Sequence, residues 1–176
     1  MTFEQARNGI ISALENYIGC PVNLSEQIEN IPNFPYCYYS VLASRISNHS
    51  FGLREVIGTE EKTILMRSEP VMATMSFTFC SKNRENDNSY IFGENEALEL
   101  SEKAHGFFLL NAHNISTEYG EIVINNLGIV SNRTNLFVED YIRRYGFDIR
   151  FSYIRNDEIQ TITVLNPGKP IGNTYS

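Results

Sequence analysis

The sequence predicts an α+β fold, a mainly antiparallel β-sheet with two helices packed on one face. Three observations predict it. Two stretches, one at the N-terminus and one from Glu94 onward, place apolar residues at three- and four-residue intervals, the period of a helix lying on a core. Other runs alternate apolar and polar residues, the period of a strand with one covered face and one wetter face. The order is helix, strands, helix, strands, with turn signals between the strand runs, which favours hairpins over parallel crossovers.

The first helix opens at Thr2, with Gln5 at capping-box spacing. Phe3, Ala6, Ile10, Leu14, Tyr17 and Ile18 form its apolar stripe, Gly19 ends it and Pro21 prevents continuation. Gly9 inside it costs about 1 kcal/mol relative to Ala and reads as tolerated weakness rather than as a mark of close packing. Residues 21–35 form a connector, since Pro21, Pro32 and Pro35 each remove a backbone donor. Tyr36 to Ala43 is rich in aromatic and branched residues and reads as a strand. Residues 44–61 read as a projecting loop or long hairpin, and 62–68 as its return.

Val71, Ala73, Met75, Phe77 and Phe79 alternate with Met72, Thr74, Ser76 and Thr78, a half-buried strand. Residues 81–93 are polar and Asn-rich and read as a loop. The second helix starts at Glu94 with acids in its first turns, where the helix dipole favours them. Its inner stripe is Ala97, Leu98, Ser101, Ala104, His105 and Phe108, with Gly106 at a close approach to the sheet and fraying near Asn111 to Asn114. Strands are expected at Glu121–Ile124 and around Ile129–Val130, with a turn at 132–135. In the clearest strand, Tyr145, Phe147, Ile149, Phe151 and Tyr153 face one way and Gly146, Asp148, Arg150 and Ser152 the other. Asn156–Asp157 reads as a turn, and Ile159 to Val164 as the returning strand. These elements make one domain over residues 1–165, as expected for 176 residues. A Pro/Gly-rich tail follows over 166–176.

Composition narrows the chemistry. Fourteen Lys and Arg against 21 Asp and Glu give a net charge of −7, which argues against a nonspecific grip on nucleic acid. No apolar run is long enough to span a membrane. No basic segment precedes an apolar stretch at the N-terminus, so no secretory signal is expected. Cys20, Cys37 and Cys80 are odd in number and widely spaced, which suggests reduced thiols. No CxxC or HxxxH spacing points to a metal, and no local signature marks a cysteine nucleophile. Cys37 and Cys80 read as small apolar strand residues. Glu60–Glu61 and Glu94/Glu96/Glu99 read as solvated faces rather than acid–base pairs. GxxxxGK[ST], GxGxxG and GxSxG are all absent from the sequence. No catalytic residue, cofactor or metal is therefore expected.

The unusual local feature is the run from Asp140 to Arg150, which packs charged and aromatic residues into one strand and its approach. It is an ordinary strand with a polar face, an interface strip, because Arg and Tyr suit desolvated contacts between subunits, or a basic nucleic-acid patch, against which the acidic balance and Asp140 and Asp148 count. On the second reading Arg143, Arg144, Tyr145, Asp148 and Arg150 are the candidate interface residues, with Asp148 and Arg150 placed to pair across a seam.

Four features together resemble the phage neck and tail terminator family, of the neck-terminator type. They are the opening helix with the step Pro32-Asn-Phe-Pro-Tyr-Cys-Tyr-Tyr39, the strand Pro70 to Phe79, the helix spanning Ala97 to Phe108, and Ile129 to Leu136 followed by Asp140 to Arg150. The resemblance spans most of residues 1–155. It implies a non-enzymatic virion protein that forms a homo-oligomeric ring, usually hexameric, at the head-proximal end of the tail. Such a ring caps the tail tube, stops its polymerisation and docks the head connector. The implied partners are the tube protein, possibly a sheath, and the connector; assembly takes place in the host cytoplasm. DNA passes the channel without specific binding, which the net charge suits. The same ring closes the tube as collar protein in tail-like bacteriocin particles. Alternatives are a head-completion or connector protein and, from another class, a small cytosolic ligand-binding domain. The Pro-rich step, the 44–61 segment and the tail after Asn166 are candidate reaching arms.

Overall fold

The structure, a computed structural model, describes residues 1–25, 33–46, 51–58, 62–86, 89–135 and 141–162. Residues 26–32 of the connector, 47–50 and 59–61 of the 44–61 segment, Asp140 and the C-terminal tail lie outside the described residues.

Helix α1 (Phe3–Ile18) begins with the expected capping box. Gln5 N donates to Thr2 Oγ1 at 3.2 Å, and Thr2 N donates to Gln5 Oε1 at 2.7 Å. Gly19 closes the helix at φ 78°, a left-handed cap that glycine adopts without a Cβ penalty. Ala6, Ile10, Leu14 and Ile18 are buried, while Tyr17 is 43% exposed and leans on Phe107. Gly9 does mark a close approach: a Cβ there would lie 2.5 Å from Thr117 Cγ2. Gly106 does not, since nothing lies within 4 Å of a Cβ at that site.

The main sheet is built from β1 (Val22–Leu24), β2 (Tyr36–Ile46), β3 (Leu53–Gly58), β4 (Lys62–Lys82), β7 (Ile115–Thr117), β8 (Gly120–Leu127), β9 (Ser131–Asn132) and β10 (Ile142–Ile162). A separate hairpin is formed by β5 (Arg84–Asn86) and β6 (Ser89–Ile91). The order across the main sheet is β1-β2-β4-β10-β8-β7, with β3 on β4 and β9 on β10. All pairs in it are antiparallel except β1 with β2. Strands β4 and β10 are each 21 residues long and pair from Ile142↔Lys82 to Ile162↔Lys62 without a register shift. Each would reach about 65–70 Å at ~3.3 Å per residue.

Helix α2 (Gly93–Leu110) and α1 cover the same face of this sheet. Phe108 packs on Phe77 and Phe147, and Phe3 stacks on Phe151. The core joins Ile10 and Leu14 of α1 and Ala104, Phe107 and Phe108 of α2 to Met75, Phe77, Phe79, Phe147, Ile149 and Phe151, all buried. Apolar burial on this scale is the main stabilising term, at about 25 cal/mol per Å² removed from water.

Three further sequence expectations are corrected. Residues 81–93 are not a plain loop, because they contain the β5–β6 hairpin. Arg84 holds it against α2 with a two-pronged contact to Glu96, Nη1 to Oε2 at 2.7 Å and Nη2 to Oε1 at 2.8 Å. Ile129–Val130 is not strand; the short pairing falls at Ser131–Asn132. Asn156–Asp157 does not turn, and β10 runs straight through it. Cross-strand partners offset the turn preference of these residues: Ser68 Oγ donates to Asn156 Oδ1 at 2.8 Å, and Arg67 Nη1 lies 3.2 Å from Asp157 Oδ2.

Candidate interaction surfaces

The sheet face turned away from the helices carries Met72, Thr74, Ser76 and Thr78 of β4, and Arg144, Gly146, Asp148, Arg150 and Ser152 of β10. Arg133, just after β9, lies across it. Its Nη1 donates to Ser76 Oγ at 2.6 Å, Thr78 Oγ1 at 3.0 Å and the Phe77 carbonyl at 3.2 Å, and its Nη2 to Asp148 Oδ1 at 2.8 Å. Gly146 makes room for it: a Cβ there would lie 2.2 Å from the Phe77 carbonyl and 3.1 Å from the guanidinium carbon of Arg133. Burial pushes the Asp148 carboxyl up, but hydrogen bonds from Ser76 and Arg133 and the Arg133 charge outweigh it and leave the group below the usual range. The backbone of Arg144 is bracketed by the same segment, its N–H donating to Thr134 Oγ1 at 2.9 Å and its carbonyl accepting from Arg133 N at 2.8 Å. The runs 129–136 and 140–150, separate in the sequence, thus meet through Arg133.

The structure divides the candidate strip between two faces. Arg144, Asp148 and Arg150 lie on the outer face, with Arg150 exposed and Asp148 bound within the chain by Arg133. Arg143 and Tyr145 share the parity of Phe147 and sit at the rim of the helix-covered face. The Tyr145 hydroxyl donates to Glu94 Oε1 at 3.1 Å and accepts from Asn132 Nδ2 at 3.4 Å. Beside this end, Tyr36, Cys80 and Ile142 form a small buried cluster with Phe34 and Tyr38 packed on it. Tyr141, Tyr90 and Phe92 stand exposed nearby in the chain.

At the opposite end β4 and β10 run on past the helix-covered core and, with β3, form a three-stranded arm. β3 pairs with β4 from Leu53↔Ser68 to Gly58↔Thr63, and β10 pairs with the same stretch. One side of the arm shows Leu53, Ile57, Ile64, Met66 and Ile154, and the other Val56, Leu65 and Ile159. Leu53 is 74% exposed, Val56 65% and Ile159 62%. The arm is braced at its root by Glu69, which is 2% exposed and receives both Arg45 and Arg67. Arg67 also donates from Nε to the Phe51 carbonyl at 2.7 Å and reaches Asp157, which Arg155 Nε holds at 2.9 Å. This charge network ties β2, β4, β10 and the approach to β3 together. Sequence reading missed it, although Glu69 stands at the inward parity of Val71 and Phe77, where an acid needs a partner.

No group of His, Cys, Asp and Glu among the described residues could hold a metal ion. The three cysteines are buried. Burial pushes the Cys20 and Cys80 thiols up to about 11 and Cys37 well above its ordinary value, so the nucleophilic thiolate is disfavoured at neutral pH. The groove between α1 and the β7–β8 turn is open and polar, flanked by exposed Glu4 and Glu118. No described helix is long and apolar enough to cross a membrane.

What the fold displays is contact surface: a polar outer face, an aromatic end and an apolar arm, the marks of an assembly protein. A model of the phage neck terminator protein family matches residues 8–174, and the chain belongs to that family. It is a structural protein of the phage neck, a virion component that assembles with other head and tail proteins. The match takes in the Pro/Gly stretch after Asn166, which the residue-by-residue likeness left out. No curated protein matches the chain.

Proposed function

We propose that this chain forms a closed ring of copies that sits on the head-proximal end of the tail tube, stops its growth and offers its other face to the head connector. The ring does this by shape and contact, without a catalytic step. The observation that carries the reading is the arm, which presents Leu53, Ile57 and Ile154 on one side and Val56 and Ile159 on the other. A blade that exposes these apolar side chains on both sides, among the charged Arg54 and Glu55, calls for covering partners. A cap also needs two unlike axial faces. The paired β4–β10 strands provide two unlike ends, an apolar arm at one and an aromatic cluster with Tyr141, Tyr90 and Phe92 at the other. A net charge of −7 suits a channel that DNA traverses without adhering. The same ring would close the tube of a headless tail-like particle.

The test is electron microscopy of the purified chain mixed with its tube protein. Rings stacked on tube ends, with tube length fixed by their addition, are expected. A chain that leaves tube growth unaffected but binds the connector would favour the head-completion reading instead. A chain that stays monomeric beside both partners would overturn the ring.

A further inference from the structure

Charge is spread unevenly over this chain. It is 20% charged overall, yet residues 33–44, 104–117 and 122–132 contain no Asp, Glu, Lys or Arg. The fold gathers these stretches on two flanks of the main sheet. Residues 104–117 and 122–132 meet on the β8 flank, where Ile124 N donates to the Ala112 carbonyl at 2.9 Å and His105 Nε2 lies 3.1 Å from the Gly128 carbonyl. Leu109, Leu110 and Ile129 stand exposed there, Ile129 by 83%, among the exposed amides of Asn114, Asn125 and Asn126. The other flank is β2, separated from β8 by β4 and β10, and it exposes Val41 and Leu42. The two flanks are level with each other. Val41 pairs with Met75, Met75 with Ile149, and Ile149 with Leu127, two residues before Ile129. This row crosses the sheet between the apolar arm and the aromatic end. Exposed apolar side chains in surroundings stripped of charge have the composition of the centre of a subunit contact.

We propose that these flanks are the seam between copies of this chain: Leu109, Leu110 and Ile129 of one copy pack on Val41 and Leu42 of the next. The inference rests on the ring reading above and names the contact that joins neighbours in the ring. Three relationships favour a second copy as occupant. The two surfaces match in chemistry, so neither buries an unpaired charge of the other. They lie on opposite flanks, so each copy offers one surface to each neighbour. Such a contact is heterologous, and repetition closes when the rotation closes. They are also level, as rotation about the ring axis requires when the arm and the aromatic end are the axial faces. A foreign protein seated on one flank leaves the other uncovered, whereas the next copy serves both at once. The five apolar side chains form the centre of the contact. The surrounding amides supply the hydrogen-bonding rim that extends it toward the ~800 Å² per partner of a stable interface.

Three measurements on the full chain test the seam. In the unsubstituted protein, amide hydrogen exchange over 40–44 and over 109–114 is expected to slow at least about tenfold on passing from dispersed chain to ring. In the Leu42→Cys/Ile129→Cys variant, oxidation of the ring is expected to give a ladder of covalently joined copies. Within one copy β2 and β8 stand three strand spacings apart, about 14 Å, beyond the ~7 Å Cα limit of a disulfide, and the native thiols are buried. Ile129→Asp is expected to weaken assembly at least about tenfold, since it puts a charge into the seam. Its melt should match the parent's, because the Ile129 side chain faces water in the single chain. Rings that form from Ile129→Asp as readily as from the parent, with no ladder and no slowed exchange, overturn the seam and leave the ring reading standing. Covalent dimers from Ile129→Cys alone overturn it in favour of a two-fold contact. Exchange over 109–114 that slows only beside the tube protein, with no ladder, overturns it in favour of that partner. A chain that forms no ring, alone or with its tube protein, overturns both readings.

Discussion

Arg133 reaches Asp148 across the outer face of the sheet, with Nη2 2.8 Å from Oδ1, and its Nη1 gathers Ser76, the Phe77 carbonyl and Thr78 on the way. One side chain thereby clamps β4 to β10 and holds the segment after β9 on top of them. Arg133→Ala should lower unfolding free energy by about 1–2 kcal/mol, the scale of charged hydrogen bonds at a partly exposed site. Asp148→Asn should cost less than about 1 kcal/mol, since the amide oxygen still accepts. Urea titrations of the two variants check the order; equal losses would contradict it.

Gly146 is the backbone counterpart of that clamp. A methyl group there meets the Phe77 carbonyl at 2.2 Å and the Arg133 side chain at 3.1 Å, so the strands must part and Arg133 must shift. Gly146→Ala should therefore cost more than about 2 kcal/mol, exceeding Arg133→Ala. A melt within a degree of the parent would show that the ladder yields easily at this point.

Glu69 should be the most sensitive charge in the chain. Glu69→Leu leaves Arg45 and Arg67 facing each other across an apolar side chain. Both guanidiniums are partly exposed and can turn to water, which brings the loss below the roughly 3–5 kcal/mol of a fully buried pair, to about 2 kcal/mol. The second consequence is spatial, because the arm loses the brace that links its strands. Hydrogen exchange should rise over 53–58 and 155–162 before it rises in the core around Phe77. Uniform change along β4 would argue against a local brace.

Acid should destabilise the fold through Glu96, Asp148 and Asp157. Arg84 and Ser81 hold the Glu96 carboxyl below its ordinary value, against its burial. Arg155 does the same for Asp157, helped by the Arg67 and Arg45 charges. Asp148 is likewise lowered, as described above. A group with a folded pKa below its unfolded value binds protons more weakly when folded. Its contribution is complete above the unfolded pKa, about 4 for these side chains, and is lost as pH falls through the folded value. Denaturation midpoints should hold from pH 7 to about 5 and drop below about 4. Glu96→Gln should flatten that drop.

The thiols should be silent in the native state. Cys20, Cys37 and Cys80 are buried and their ionisation is displaced upward. A thiol-exchange reagent at pH 8 should titrate none of them in the folded chain and all three in denaturant. Rapid native reaction of any one would reopen a chemical role.

The sequence carried most of the architecture because burial imposes a period. The stripe through Ala6, Ile10 and Leu14 and the alternation through Phe77 and Phe147 were both legible. What escaped were elements decided by partners far along the chain. Asn156 and Asp157 carry turn propensity, and only the presence of Ser68 and Arg67 opposite them makes them strand. Arg133 sits in a run of turn-forming residues, and nothing local announces that it will span two strands. Within the candidate strip at 143–150 the alternation was legible too, and it puts Tyr145 and Arg144 on opposite faces. Glu69 was the exception that pattern alone could have flagged, an acid in step with Val71 and Phe77.

The unbroken register of β4 on β10 ties the interior to the periphery. Phe77 and Phe147 face the helices because of their parity, and with no bulge to reset the count, the same parity decides which flank of the blade shows Leu65 and Ile159 many residues away. One extra residue at the blade's root, in both strands at once, would leave the hydrophobic interior intact and turn the blade inside out, offering every neighbour the wrong side.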